Sequence, residues 1–177
     1  MIRISGGFLK GRLIKEVPDK RTRYTSSVVR QALFNMVDVE GKSFLDLFCG
    51  SCLVMIEALS RGASEVFGVD ISGKAISACK KNLSDLRISD RAALYKGNAV
   101  NFVKSSGRSF DVIFMDPPYG LNLANKVLAS MRRDILEGNG ILVVEEKKNS
   151  DLIMPDFLEI ISEKKYGDTK LVVMRKR

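Results

Sequence analysis

From residue 43 onward, short apolar runs alternate with stretches whose apolar residues recur every three or four positions. Ser43–Leu47, Glu65–Asp70, Ala92–Lys96, Asp111–Met115 and Gly140–Glu145 read as strands. Between them, Leu53–Arg61, Gly73–Leu86, Ala99–Ser105 and Leu123–Ile135 carry helical periodicity. Gly62 and Gly138 stand where helix ends favour a left-handed residue. Strands and helices in alternation predict a parallel, doubly wound sheet. Two further runs, Phe157–Lys165 and Thr169–Lys176, are linked at Gly167-Asp168, a turn short enough to make them antiparallel. The expected architecture is α/β and Rossmann-like, a seven-stranded, mostly parallel sheet with a C-terminal antiparallel hairpin.

The first forty residues follow another pattern. Phe8-Leu9 and Leu13-Ile14 flank Lys10-Gly11 and predict a hairpin or two short strands, and Pro18-Asp19-Lys20 reads as a turn. Ser26 or Ser27 can cap a helix running to about Val37, with Val28, Val29, Ala32, Leu33 and Met36 on one face. We expect residues 1–40 to form a basic extension packed on a domain of residues 41–177, in one compact unit.

Charge sharpens this division. Residues 1–35 hold eight Lys/Arg against two acids, and residues 163–177 hold six against two, which leaves the body at −2 of the chain's +8. Basic ends on a slightly acidic body point to a polyanionic partner or to two solvated basic faces. No apolar run approaches the ~18 residues of a membrane span, and the N-terminus has no apolar signal core, so a cytoplasmic protein is expected. The chain has no histidine, which excludes His-dependent triads. Cys49-Gly50-Ser51-Cys52 has CxxC spacing, but only Cys79 remains to complete a four-ligand metal site, so no metal is expected.

The candidate chemistry lies at the carboxyl ends of the strands, where open α/β sheets place their ligands. Asp46 ends the first strand, before the turn Phe48-Cys49-Gly50-Ser51 and a helix. Asp70 ends the second strand, followed by Ile71, and an acid there commonly binds ribose hydroxyls. Asn98-Ala99 follows the third strand, where Asn98 could bond an adenine amine. Each acid also has a plainer reading as a helix cap. The turn lacks GxGxxG, so a pyrophosphate cradle is missing and S-adenosylmethionine fits better than a dinucleotide. Both turn cysteines then read as small packing residues. Asp116-Pro117-Pro118-Tyr119 ends the apolar run Val112–Met115. The prolines stop the ladder and leave carbonyls unpaired beside an acid and a ring. That set suits a planar base held by its exocyclic amine.

These motifs resemble the bacterial 16S ribosomal RNA guanine-N2 methyltransferases of the RsmD type over nearly the whole chain. The resemblance rests on Arg3-Ile4-Ser5-Gly6, Val29-Arg30-Gln31-Ala32-Leu33-Phe34-Asn35, Asp46-Leu47-Phe48-Cys49-Gly50-Ser51, Glu57-Ala58-Leu59-Ser60-Arg61-Gly62-Ala63 and Asp116-Pro117-Pro118-Tyr119. It implies S-adenosylmethionine as donor and one guanine amine of 16S rRNA, free or in a small-subunit assembly particle, as acceptor. Two places depart from the family pattern. Cys52 stands where the family usually has Gly, and Arg23-Tyr24-Thr25 and Ser27 replace Arg-Pro-Thr and an acid.

The expected reaction is direct methyl transfer. Asp116 and the Pro117 carbonyl would accept the amine hydrogens, and Tyr119 would stack on a flipped base. Arg12, Lys20, Arg21, Arg23 and Arg30 are the candidates for rRNA phosphates. Phe34 and Asn35 would either line the cofactor's methionine end or serve as a core ring and a helix cap. The rivals are an adenine-N6 DNA methyltransferase, for which the chain has little room for a target-recognition domain, and a non-catalytic RNA-binding assembly factor. The expected form is a monomer.

Overall fold

The computed structural model describes residues 1–18 and 25–177. Its sheet has the strand order β5-β4-β3-β6-β7-β9-β8. These are β3 (Ser43–Asp46), β4 (Glu65–Asp70), β5 (Ala92–Lys96), β6 (Phe110–Met115), β7 (Leu136–Lys147), β8 (Leu158–Tyr166) and β9 (Thr169–Lys176). Neighbours from β5 through β7 run parallel, while β9 is antiparallel to both β7 and β8. The central strands β3 and β6 are almost wholly buried, and their side chains divide between two apolar cores. Phe44, Val112 and Phe114 belong to one core, and Leu45, Ile113 and Met115 to the other. Burial on both sides explains the unbroken apolar runs. The chain leaves β3 toward β4 and β5, then returns to place β6 on the other flank of β3. Order reverses between β3 and β6, so a crevice opens beyond their carboxyl ends.

The helices are α1 (Ser27–Met36), α2 (Leu53–Ser60), α3 (Gly73–Asp85), α4 (Ala99–Ser105) and α5 (Leu123–Ser130). Gly62 has φ +102°, as expected after a helix, but Gly138 lies inside β7. That strand begins at Leu136, earlier than the pattern suggests, and α5 ends at Ser130 before a short 3-10 turn at Arg133–Ile135. Ser26, not Ser27, caps α1, its Oγ accepting from Val29 N at 3.2 Å. Val28, expected on one face with Val29 and Leu33, is 61% exposed while those two are buried.

In the extension, β1 (Ile2–Arg3) pairs antiparallel with β2 (Leu13–Ile14), and Phe8–Gly11 forms the turns between them. Of the turn expected at Pro18-Asp19-Lys20, Asp19 and Lys20 lie outside the described residues. The extension is pinned to α2 through Glu57, which is fully buried in a helix that is apolar apart from it and Ser60. Its carboxylate accepts from Ser5 Oγ, Ser5 N (3.2 Å), Arg30 Nε (3.1 Å) and Arg61 Nη2 (2.8 Å). Burial pushes the Glu57 carboxyl up, but the bonds from Ser5, Arg61 and Arg30 together hold it below the ordinary carboxylate range. Its stabilising effect is therefore present at neutral pH and lost as pH falls through that lowered value. Glu57→Ala leaves Arg30 charged and buried, and we expect a loss of ~3–5 kcal/mol by urea denaturation near pH 7.

Candidate active site

The turn after β3 is tied to both flanking strands. Leu47 N donates to Phe114 O and Cys49 N to Val69 O, each at 3.0 Å. Gly50 adopts φ +52° and gives its N–H to Asp70 Oδ2 at 2.9 Å. Asp70 Oδ1 accepts from Ser72 N at 2.8 Å, and Ser72 is the cap of α3. Asp70 therefore already braces the turn, with its second lone pairs left for an outside donor such as a ribose hydroxyl. Ile71 beside it is 69% exposed.

A cavity of about 50 Å3 lies between this turn and the end of β6. It is lined by Asp46, Phe48, Cys49, Gly50, Ser51, Thr25 and Asp116, with Leu53, Val54 and Phe114. Ser51 Oγ is buried with no hydrogen-bond partner among the described residues. A buried hydroxyl without a partner costs free energy unless something else supplies one. Asp46 is buried and accepts from Phe48 N at 3.2 Å. Burial, opposed by that bond and reinforced by the charges of Asp116 and Asp70, pushes its carboxyl up to about 8. The donor set of a zwitterionic amino acid fits these groups, since Asp46 can meet an ammonium and the unsatisfied Ser51 hydroxyl a carboxylate.

Asn98 caps α4, its Oδ1 accepting from Val100 N (2.8 Å) and Asn101 N (3.3 Å), with Ala99 buried behind it. The amide oxygen is thus taken by the helix. An adenine amine would find no acceptor there, and the group to present is Nδ2, a donor suited to a ring nitrogen.

Asp116 follows β6 directly and is partly exposed. Pro117 is buried, Pro118 exposed, and Tyr119 half-buried with its hydroxyl 3.0 Å from Thr169 Oγ1. Lys147 Nζ lies 5.6 Å from the Tyr119 ring centroid, a cation on one face of the ring. Thr25 Oγ1 donates to Asp116 Oδ2 at 3.4 Å. Thr25, Thr169 and Lys147 are contacts that sequence reasoning missed, because each reaches the motif from a distant element.

Three expectations need correction. Arg30 cannot meet phosphates. It is 2% exposed, paired with Glu57, and donates through Nη1 to Thr25 O (2.9 Å) and Nη2 to Arg3 O (3.0 Å). Phe34 and Asn35 do not line the cavity. The helix carries them away from Ser26 at ~1.5 Å per residue, so that Phe34 packs near Phe44 under the Arg61 guanidinium while Asn35 is exposed. Cys52 is not a simple packing residue. Its sulfur meets that of Cys79 of α3, with Cα atoms 5.3 Å apart, a spacing at which the two can form a disulfide. Cys52 adopts φ +65°, a left-handed conformation that favours glycine. Cys49 is a buried thiol, its proton held by burial and by the charges of Asp46 and Asp70. The three sulfurs lie within 4.8 Å of one another. Arg12 is exposed, whereas Lys20, Arg21 and Arg23 lie outside the described residues.

No helix among the described residues is long and apolar enough to cross a membrane. A family model described as conserved hypothetical protein 95 matches residues 2–175. The ribosomal RNA small subunit methyltransferase D of Haemophilus influenzae is 31% identical, the alignment covering 94% of this chain and 89% of that protein. Its namesake from Escherichia coli is 31% identical over 81% of this chain and 71% of its own length. A solved Escherichia coli structure described as a methyltransferase superposes with a TM-score of 0.89 at 27% identity, covering 99% of this chain and 98% of that one. By sequence family and by fold alike, the chain belongs to the RsmD-type ribosomal RNA methyltransferases.

Proposed function

We propose that the protein transfers a methyl group from S-adenosylmethionine directly to the exocyclic N2 amine of a guanine in small-subunit rRNA. The observation that carries this reading is the meeting of two structures at the β3–β6 switch point. One is the turn with Asp46 and the unpartnered Ser51 hydroxyl, and the other is Asp116-Pro117-Pro118-Tyr119.

When bound, the donor supplies an electrophilic sulfonium methyl. Asp46, Gly50 and Ser51 would hold its amino-acid end, Asp70 the ribose, and Ile71, Asn98 and Ala99 the adenine, while Phe48 borders the pocket. On the acceptor side the chemical difficulty is that an aryl amine shares its lone pair with the ring. Asp116 carboxylate and the Pro117 carbonyl accept hydrogen bonds from the two amine hydrogens, which draws the nitrogen toward tetrahedral geometry and frees that lone pair. The proton that the methylated nitrogen must lose passes to Asp116. Pro118 has no N–H, so it offers no competing donor at this point. Tyr119, anchored through Thr169, stacks on the base with the face opposite Lys147, worth ~1–3 kcal/mol. Holding nitrogen and methyl in line lowers the barrier further, by up to ~7–11 kcal/mol in favourable cases. Arg12, with Lys20, Arg21 and Arg23, supplies phosphate contacts.

The test offers labelled donor with small ribosomal subunits, protein-free 16S rRNA and naked duplex DNA. The expected result is one methyl group per subunit or rRNA molecule, recovered as N2-methylguanine. Label in adenine of the duplex instead would establish the DNA rival, and no transfer to any acceptor would favour the assembly factor.

A further inference from the structure

We propose that Thr25 and Arg30 are positioning residues for Asp116, holding the acceptor carboxylate in register with the donor turn. The inference rests on the methyl-transfer reading above. Thr25 is 7% exposed and immediately precedes the Ser26 cap of α1. Its hydroxyl donates to Asp116 Oδ2 at 3.4 Å, long for such a bond, as apo active-site contacts often are before they tighten. Its carbonyl is gripped by Arg30 Nη1 at 2.9 Å. Arg30 cannot shift, because Nη2 is fixed on Arg3 O and Nε on Glu57.

Glu57 closes the argument. It lies on α2, the helix that starts at Leu53, directly after the turn that borders the cavity. One helix therefore sets both sides of the reaction. Its first residue follows the donor turn, and its buried carboxylate holds Arg30, which holds Thr25, which meets Asp116. A buried arginine spending its fork on three separate partners is poorly explained by stability alone, since buried ion pairs are weak stabilisers against apolar replacements. It is well explained if a fixed geometry between two loops is what matters.

By giving its hydroxyl hydrogen to Asp116 Oδ2, Thr25 restricts rotation of the carboxylate.

Steady-state kinetics on small subunits, with S-adenosylhomocysteine affinity measured by calorimetry, tests this. Thr25→Val should lower kcat by about five- to tenfold, with KM for the subunit and ligand affinity within about twofold of wild type. Thr25→Ser should restore most of the rate, which a loss of packing alone would not allow. Arg30→Lys, lacking the fork, should lower kcat in the same way, and adding Thr25→Val to it should cost little more. A Thr25→Val variant as fast as wild type, or a loss confined to KM, would overturn the role. So would additive losses in the double variant. A wild type that binds S-adenosylhomocysteine but methylates nothing would sink the methyl-transfer reading first, and this role with it.

Discussion

Asp116→Ala should lower kcat by about 100- to 10,000-fold, the range found when a group acting directly on a reacting proton is removed, while S-adenosylhomocysteine binds at least as well as to wild type. The carboxylate lines the cavity from the end of β6, whereas the turn that would hold the donor follows β3. In the proposed mechanism, removing Asp116 would take away an acceptor for one amine hydrogen and leave Pro117 to hold the other. It also removes one of the charges that push the Asp46 carboxyl up, so donor affinity should hold or rise slightly at neutral pH. Single-turnover rates with labelled donor and calorimetric titration with S-adenosylhomocysteine check both halves. Loss of rate and of affinity together would mean that Asp116 builds the donor pocket instead.

The second large effect concerns pH. With its carboxyl at about 8, Asp46 is mostly protonated at pH 7. An ammonium placed beside it favours the ionised form, so binding must release a proton. Donor affinity should therefore rise with pH, by up to about tenfold per unit below pH 8, and level off above it. Calorimetry in two buffers of different ionisation enthalpy reads the released proton directly. Asp46→Asn should flatten the profile and weaken binding. The same raised value has a cost in stability. A carboxyl whose folded value lies above its unfolded one favours folding fully below about 4, and that contribution is lost as pH rises through about 8. Asp46→Asn should thus be more stable than wild type at pH 8, on the order of a few kcal/mol by urea denaturation. A flat affinity profile for the wild type would remove Asp46 from the ammonium's side.

The strands and the acids at their ends were readable because the physics is local. A strand buried on both faces must be apolar throughout, and an acid following one has few reasons to be there. Asp46, Asp70 and Asp116 stand out for that reason. β7 was read short because Glu137-Gly138-Asn139 is polar, and its pairing with β6 shifts register between Phe110 and Val112. Arg30 was misread because its partner lies 27 residues away. A signal did exist, since Glu57 interrupts the apolar run Leu53–Leu59 and a buried acid demands a buried cation. Phe34 and Asn35 depended on which way α1 points, which periodicity does not encode. The Cys52–Cys79 pairing depended on how α3 packs against the turn, and Asn98's role as a cap decided which of its atoms faces outward.

The meeting of Cys52 and Cys79 bears on how the protein is handled, since an oxidant can close the pair to a disulfide and a reductant can open it. The two sulfurs are shielded from solvent, yet one belongs to the residue that ends the donor turn. Purification with dithiothreitol and purification in air could therefore deliver two chemically different samples of one sequence. Affinity data gathered without recording thiol content would average over them, and an intact-mass measurement accompanying each titration would tell them apart.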